Sequence, residues 1–87
     1  LVRQHAQRAL SHRTASREDF RERIAVVAPS LTPRETEVCA AMMIGMSAEG
    51  IALDLGVGIN TVLTYRKRAY ARLGISSQNQ LMRLVLN

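Results

Sequence analysis

The chain has 87 residues, 47% of them hydrophobic, and a formal net charge of +5, so it is large enough for one small domain. Its single cysteine excludes an intrachain disulfide, and its two histidines lie outside any metal-ligand spacing. We expect no enzyme, no cofactor and no metal site, because the sequence shows neither paired carboxylates nor a nucleophile beside a base.

Aromatic residues are scarce and Ala, Leu, Arg, Met and Glu are plentiful, which predicts an all-α chain. Residues 1–30 are interpreted as a linker followed by an N-terminal helix. Ser16 is the expected N-cap, with acidic residues in the first turn. Apolar residues then recur at the helical spacing i, i+4 and i+7, so we expect Phe20, Ile24 and Val27 to face a core.

A second helix is predicted to begin within the sequence LTPRE. Thr32 is the expected N-cap, Pro33 occupies the first helical position, and Glu35 completes a capping box. The helix should extend to about Ile44, with Gly45 as its C-terminal stop.

Three further helices are predicted, each from residues that cap or end a helix. The first two are predicted over residues 48–55 and 59–73, and each is followed by a glycine. The last helix begins after Ser77, with Gln80 three residues on, as in a capping box. The expected caps and stops are Ser47, Gly56, Gly74 and Ser77.

Residues 51–62 have the pattern of a helix-turn-helix. Two helices joined by a short turn cross steeply only if a small residue lies at their contact and a glycine takes the left-handed turn conformation. Ala52 and Gly56 are suited to these two roles. The apolar residues predicted to lock the pair together are Ile51, Leu55, Val57 and Val62.

The helix after this turn is predicted to bind a polyanion, because residues 55–87 carry five cations and no acid. At 100° per residue, Val62, Ala69 and Leu73 share one stripe that should face the core. The opposite stripe is the candidate for entering a DNA major groove. Its members are Asn60, Leu63, Thr64, Lys67 and Ala71. Thr61, Arg68 and Arg72 lie on a flank suited to phosphates.

Two residues lie at the borders of this helix's core stripe. Arg66 lies close to the stripe, and we expect it to form an ion pair with Glu35 or Glu37 rather than to contact DNA. Tyr65 lies at the other border, where its ring can pack while its hydroxyl reaches a phosphate.

By these residues the chain resembles the DNA-binding domain of LuxR-type (GerE/FixJ-type) bacterial transcription regulators. The resemblance extends from Leu31 to the C-terminus and rests on LTPRE, the Gly45 and Ser47 pair, IA..LG, TV and LGI in unbroken order. It implies a four-helix DNA-binding domain over residues 31–87, whose last helix contributes to a homodimer. It also implies double-stranded DNA, an upstream input domain missing from this chain and RNA polymerase as partners. Because the chain starts with Leu1 rather than Met, we expect an excised fragment.

Carried over by position, the resemblance assigns roles to side chains of the third helix of that domain. It implies base contacts for Leu63, Thr64 and Lys67, and backbone contacts for Asn60, Thr61, Tyr65 and Arg68. Three residues depart from the family pattern. Leu63 stands where Lys or Arg is usual and is suited to a thymine methyl group. Gly58 replaces the usual Ser or Thr cap, and Tyr65 replaces a common His.

The last helix is too apolar for a single buried face, so we expect a second copy of the chain to pack on Gln78, Met82 and Val85. The second helix is also unusually apolar. Met43 and Ile44 are hypothesised to dock the missing upstream domain, and the alternative is that the N-terminal helix covers them.

The leading interpretation is a transcription regulator that binds a two-fold-related operator as a dimer. One alternative is a promoter-binding module like the fourth region of a sigma factor. Another is a protein-interaction module that has lost DNA binding, which Leu63 and Gly58 favour. The longest uncharged apolar run, residues 38–46, is too short to span a bilayer, and the sequence does not open on a basic region followed by an apolar stretch, so we expect no secretory leader. A cytoplasmic location is therefore expected.

Overall fold

The computed structural model describes residues 17–86, and all regular elements in that range are helices. This confirms the predicted all-α fold with a helix ahead of a four-helix domain. Residues 17–27 form α1. The other four helices are α2 (Pro33–Met43), α3 (Ala48–Leu55), α4 (Ile59–Leu73) and α5 (Gln78–Leu86).

Helix α2 begins with the predicted capping box. The Glu35 N–H donates to the Thr32 hydroxyl at 3.2 Å, and the Thr32 N–H donates to the Glu35 carboxylate at 3.0 Å. Pro33 opens the helix, where its missing N–H costs nothing. The helix ends one residue earlier than expected, with Ile44 as C-cap, and Gly45 takes a positive φ of 93°.

Side-chain caps also start α3 and α5. The hydroxyl of Ser47 accepts from the Gly50 N–H at 3.0 Å, and that of Ser77 accepts from the Gln80 N–H at 3.2 Å. The Gln80 side chain reaches back to the Ser76 N–H, one residue further than an ordinary capping box. Ser16, the cap predicted for α1, lies outside the described residues.

The core consists of two clusters that share α2 and α4. The first cluster joins these helices to α1 and α5. It is built from Ile24, Ala28, Leu31, Cys39, Ala40, Met43, Ala69, Leu81 and Val85. The second cluster joins the same two helices to α3. It is built from Val38, Ala41, Met42, Ile51, Ala52 and Val62. Helix α4 is therefore held from two sides.

The predicted core face of α1 is correct for Ile24 and Phe20 but wrong for Val27, which is 47% exposed. Ala28 is buried in its place. The reason is the helical period, since a residue four positions after Ile24 lies nearer its direction than one three positions after. Met43 is buried in this cluster, which favours the alternative that α1 packs on it within the chain. Ile44 is 38% exposed, so its docking to an upstream domain stays a prediction.

Candidate nucleic-acid interface

The connection between α3 and α4 has the geometry of a helix-turn-helix. Residues 56–58 alone separate the two helices, and Gly56 takes the left-handed conformation with φ 69° and ψ 35°. The Val57 N–H donates to the Ala52 carbonyl at 3.0 Å and closes the turn. Ala52 is buried at the helix contact. Both predicted roles are confirmed.

The apolar residues predicted to lock this pair do so. Ile51 and Val62 are fully buried in the second cluster, and Leu55 and Val57 pack against it. Tyr65 packs against the same cluster, as expected for a residue at the border of the core stripe. The orientation of α4 is thus set by side chains from α2 and α3 together.

Helix α4 has one buried face and one exposed face, and their positions agree with the predicted stripes. Val62 and Ala69 are fully buried, and Leu73 packs against the first cluster. On the opposite side, Leu63 is half-buried and belongs to neither core cluster. The exposed members of the predicted groove stripe are Asn60, Thr64, Lys67 and Ala71.

Two open depressions divide the exposed face of α4. One brings together four residues predicted to contact the DNA backbone and one predicted to contact a base. These are Asn60, Thr61, Thr64, Tyr65 and Arg68. The other, the α4–α5 groove, lies between α4 and the start of α5. It is lined by Leu63, Arg66, Lys67, Tyr70, Ala71, Ile75, Ser76, Ser77 and Gln78.

The predicted ion pair of Arg66 with Glu35 or Glu37 is wrong. Glu35 instead pairs with Arg72, whose Nε lies 3.4 Å from the carboxylate. Glu37 lies within 4.0 Å of Arg17 and Arg34. The last turn of α4, which carries Arg72, is the part that reaches the start of α2.

Arg66 is the functional candidate that the sequence interpretation missed. Its side chain lines the α4–α5 groove beside Lys67 and Tyr70, so it is the second cation of that groove. Burial, together with the nearby Cys39, raises the pKa of Tyr70, although Arg66 opposes that shift. The signal available in the sequence was the complete lack of acidic residues after Asp54.

The surface of α4 is electropositive because it carries four cations and no carboxylate. Its N-cap, Gly58, makes no side-chain hydrogen bond, as its lack of a side chain predicted. A basic helix projecting from a helix-turn-helix is the arrangement that places side chains in a major groove.

Residues 29–85 match the GerE family, described as bacterial regulatory proteins of the luxR family. The chain belongs to this family. Members of the luxR family bind DNA through a helix-turn-helix and regulate transcription, which confirms the resemblance drawn from the sequence.

Relatives of this luxR-family chain carry regulator names. It is 40% identical over 57 residues to an HTH-type transcriptional regulator of the exeN 3' region in Aeromonas salmonicida. It is 42% identical over 60 residues to the transcriptional regulatory protein NarL of Mycobacterium tuberculosis. It is 30% identical over 78 residues to the transcriptional regulatory protein TdiR of Thauera aromatica.

These alignments cover 66%, 69% and 90% of this chain but only 29%, 28% and 34% of the three relatives. The chain therefore spans about a third or less of their length. No solved structure matches the chain at the same level of significance.

The residues predicted to form a dimer interface in this luxR-family domain are largely engaged within the chain. Val85 is 5% exposed in the first cluster, and Met82 packs against that cluster. The Gln78 side-chain amide donates to the Met42 carbonyl at 2.9 Å. Val85 exposes little surface to a second copy, although it lines a depression between α1 and the end of α5, and the large apolar residues that α5 exposes are Leu84 and Leu86.

An apolar patch is exposed where α1 meets the end of α5, and we name it the α1–α5 patch. It consists of Val26, Val27 and Leu86, around a depression that Glu22 and Arg23 also line. Val26 is 80% exposed. Exposed apolar side chains that lie together make this patch a candidate contact surface for another molecule.

Residues 17–86 contain no group of three or more His, Cys, Asp or Glu side chains that could hold a metal ion. No helix in the same range is long and apolar enough to cross a membrane.

Proposed function

We propose that this domain is a sequence-specific, double-stranded DNA-binding regulator whose helix α4 enters the major groove. The observation that carries this proposal is the acid-free exposed face of α4, held by a helix-turn-helix packed on both sides. Leu63, Thr64 and Lys67 would contact bases. Asn60, Thr61, Tyr65 and Arg68 would contact the backbone, and their shared depression supports a common role.

Arg72 is also proposed to contact the DNA backbone, in addition to its contacts within the chain. Its guanidinium already contacts Glu35 and donates to the Ser30 carbonyl at 3.2 Å. A guanidinium has five N–H donors, and the side chain is 47% exposed, so donors remain for a phosphate. Arg66 joins this set as a cation in the α4–α5 groove.

We further propose that the domain binds a two-fold-related operator as a homodimer through the α1–α5 patch. In a two-fold interface the same surface of each copy faces the other. An acidic residue of one copy can therefore pair with a neighbouring basic residue of the second copy, and the reverse pair forms as well. Glu22 and Arg23 lie together at the edge of the patch and can pair reciprocally across such an axis. Leu86 keeps the last helix in the interface, as the resemblance implied.

The remaining partners are proposals drawn from the family. The relatives are more than twice as long as this chain, which supports an input domain elsewhere in the whole protein. RNA polymerase is the expected further partner of a transcription regulator, and the cytoplasm is the expected location. Membership of the luxR family favours this function over a sigma-like module.

The test is selection of bound duplexes from a random DNA library at moderate salt, followed by sequencing. An enriched inverted repeat supports a dimeric operator reader, whereas an asymmetric motif favours the promoter-binding module. Affinity should fall steeply with salt concentration, and Arg68→Ala should reduce the logarithmic salt slope by about one. Arg21→Ala, which removes an exposed cation on α1, should leave that slope unchanged. If no DNA sequence is enriched and the association of the domain with its partner does not depend on salt concentration, the protein-interaction module is supported instead.

A further inference from the structure

Leu63 is an apolar residue on the exposed face of α4, and packing in the core does not explain it. It belongs to neither core cluster, although it is half-buried at the wall of the α4–α5 groove. Leu63, Lys67 and Ala71 follow one another at intervals of four residues along this wall. The stripe of α4 that is proposed to face the DNA major groove therefore carries an apolar side chain, a cation and a methyl group in succession.

The neighbouring Thr64 offers no free hydrogen-bond donor in this structure. Its hydroxyl donates to the Asn60 carbonyl of its own helix at 2.9 Å, so the oxygen keeps only lone pairs for another partner. Helix α4 also contains no carboxylate. Among the three proposed base-contacting residues, Lys67 is thus the single hydrogen-bond donor.

These side chains match one combination of base edges in the major groove. Thymine alone among the four bases presents a methyl group there, and guanine presents two acceptors that suit a lysine. Resting on the proposed function, we infer that Leu63 contacts the 5-methyl group of a pyrimidine while Lys67 contacts a guanine. Leu63 and Lys67 are about 6 Å apart along the helix axis, close to two base-pair steps of about 3.4 Å. Each half-site should therefore contain a methylated pyrimidine and a guanine about two base pairs apart.

The experiment changes single atoms of the DNA rather than the protein. In the duplex enriched by selection, each thymine is replaced in turn by deoxyuridine, which removes only the 5-methyl group. We expect one position in each half-site to lower affinity roughly three- to tenfold, the effect of losing one buried methyl group. 5-Methylcytosine carries the same methyl group on a different base, and cytosine lacks it. Comparing the affinities with these two bases at that position separates recognition of the methyl group from recognition of thymine as a base.

Protein variants assign the effect to its side chain. In Leu63→Ala the penalty for deoxyuridine should disappear, whereas Leu53→Ala, which truncates an exposed leucine on α3, should retain it. Leu63→Lys should change the preferred base at that position from thymine to guanine.

Three results overturn the inference. If no thymine is sensitive to loss of its methyl group, or if Leu63→Ala retains the full penalty, Leu63 does not recognise the methyl group, although the domain still binds DNA. If no duplex is enriched at all, the proposed function fails together with this inference. The two failures are therefore distinguishable.

Discussion

Arg72 in the last turn of α4 holds the buried carboxylate of Glu35 at the start of α2, with 3.4 Å between Nε and Oε1. Glu35 is only 2% exposed and also accepts from the Thr32 N–H. Arg72 adds a hydrogen bond to the Ser30 carbonyl. One arginine thus ties the end of the proposed recognition helix to the segment that joins α1 to α2.

Replacing Arg72 with alanine should lower the free energy of unfolding by about 1–3 kcal/mol, because Glu35 then loses the one cation that pairs with it within residues 17–86 while remaining buried. The measurement is urea unfolding at neutral pH and moderate salt. Arg21→Ala is the control, since it breaks an exposed pair with Glu18 and should cost less than about 0.5 kcal/mol. Equal losses in the two variants would show that burial of Glu35 does not matter.

Replacing Gly58 with serine should stabilise the domain. Gly58 is the N-cap of α4 with φ −75°, an ordinary conformation for any residue, and a Cβ there meets no atom within 4 Å. A serine hydroxyl can accept from an N–H of the first helical turn, which is worth a few tenths of a kcal/mol relative to glycine. Thermal unfolding of Gly58→Ser should show a higher midpoint, and a lower one would mean that the cap does not form.

Replacing Gly56 with alanine should have the opposite effect, although its surroundings are equally open. Its φ is 69°, and no atom lies within 4 Å of a built Cβ. The cost is therefore one of backbone conformation alone, about 1–2 kcal/mol. Gly56→Ala and Gly58→Ser form a matched pair in the same turn, compared by urea unfolding. A neutral Gly56→Ala would argue against the left-handed turn.

Stability should fall as the pH rises above 9. Burial, with Glu35 as a second cause, raises the pKa of Cys39 from 9.0 to about 11. Below pH 9 the thiol is protonated in both states; between pH 9 and 11 the unfolded chain loses a proton that the folded chain keeps, so unfolding becomes easier. The loss should reach at most about 2–3 kcal/mol.

Urea unfolding at pH 8, 9 and 10 measures this decline. Cys39→Ala should be less stable at every pH because it leaves a cavity, but its decline above pH 9 should be smaller. The raised pKa of Tyr70 acts in the same direction, so some decline should persist in the variant. An identical slope in both proteins would exclude Cys39 as the cause.

The dimer surface is testable with two exposed apolar residues of similar accessibility. Val26→Asp, in the α1–α5 patch, should weaken self-association at least tenfold in sedimentation equilibrium, because a charge is buried against the second copy. Leu53→Asp on α3, where Leu53 is 85% exposed, should have no such effect.

Charge reversal tests the reciprocal pairing itself. Glu22→Arg should weaken association, and adding Arg23→Glu should restore it, if these side chains pair across the two-fold axis. A parent domain that remains monomeric at high concentration and on an enriched inverted repeat would rule out this surface.

Much of the local structure was predictable from the sequence because its determinants lie within a few residues of one another. The Thr32 and Glu35 capping box, the Ser47 cap and the left-handed Gly56 each involve contacts over three or four positions. Helical periodicity also sufficed for the two faces of α4, since Val62 and Ala69 need only share a direction. These features also located the proposed interface.

The tertiary structure decided which helix ends meet, because that depends on crossing angles between segments far apart in sequence. In the folded chain Glu35 pairs with Arg72 and not with Arg66. Val85 is buried where a dimer contact was expected, and Ala28 is buried in place of Val27. Periodicity assigns a side chain to a face but cannot say which neighbour covers that face. That choice follows from how all five helices share the two core clusters.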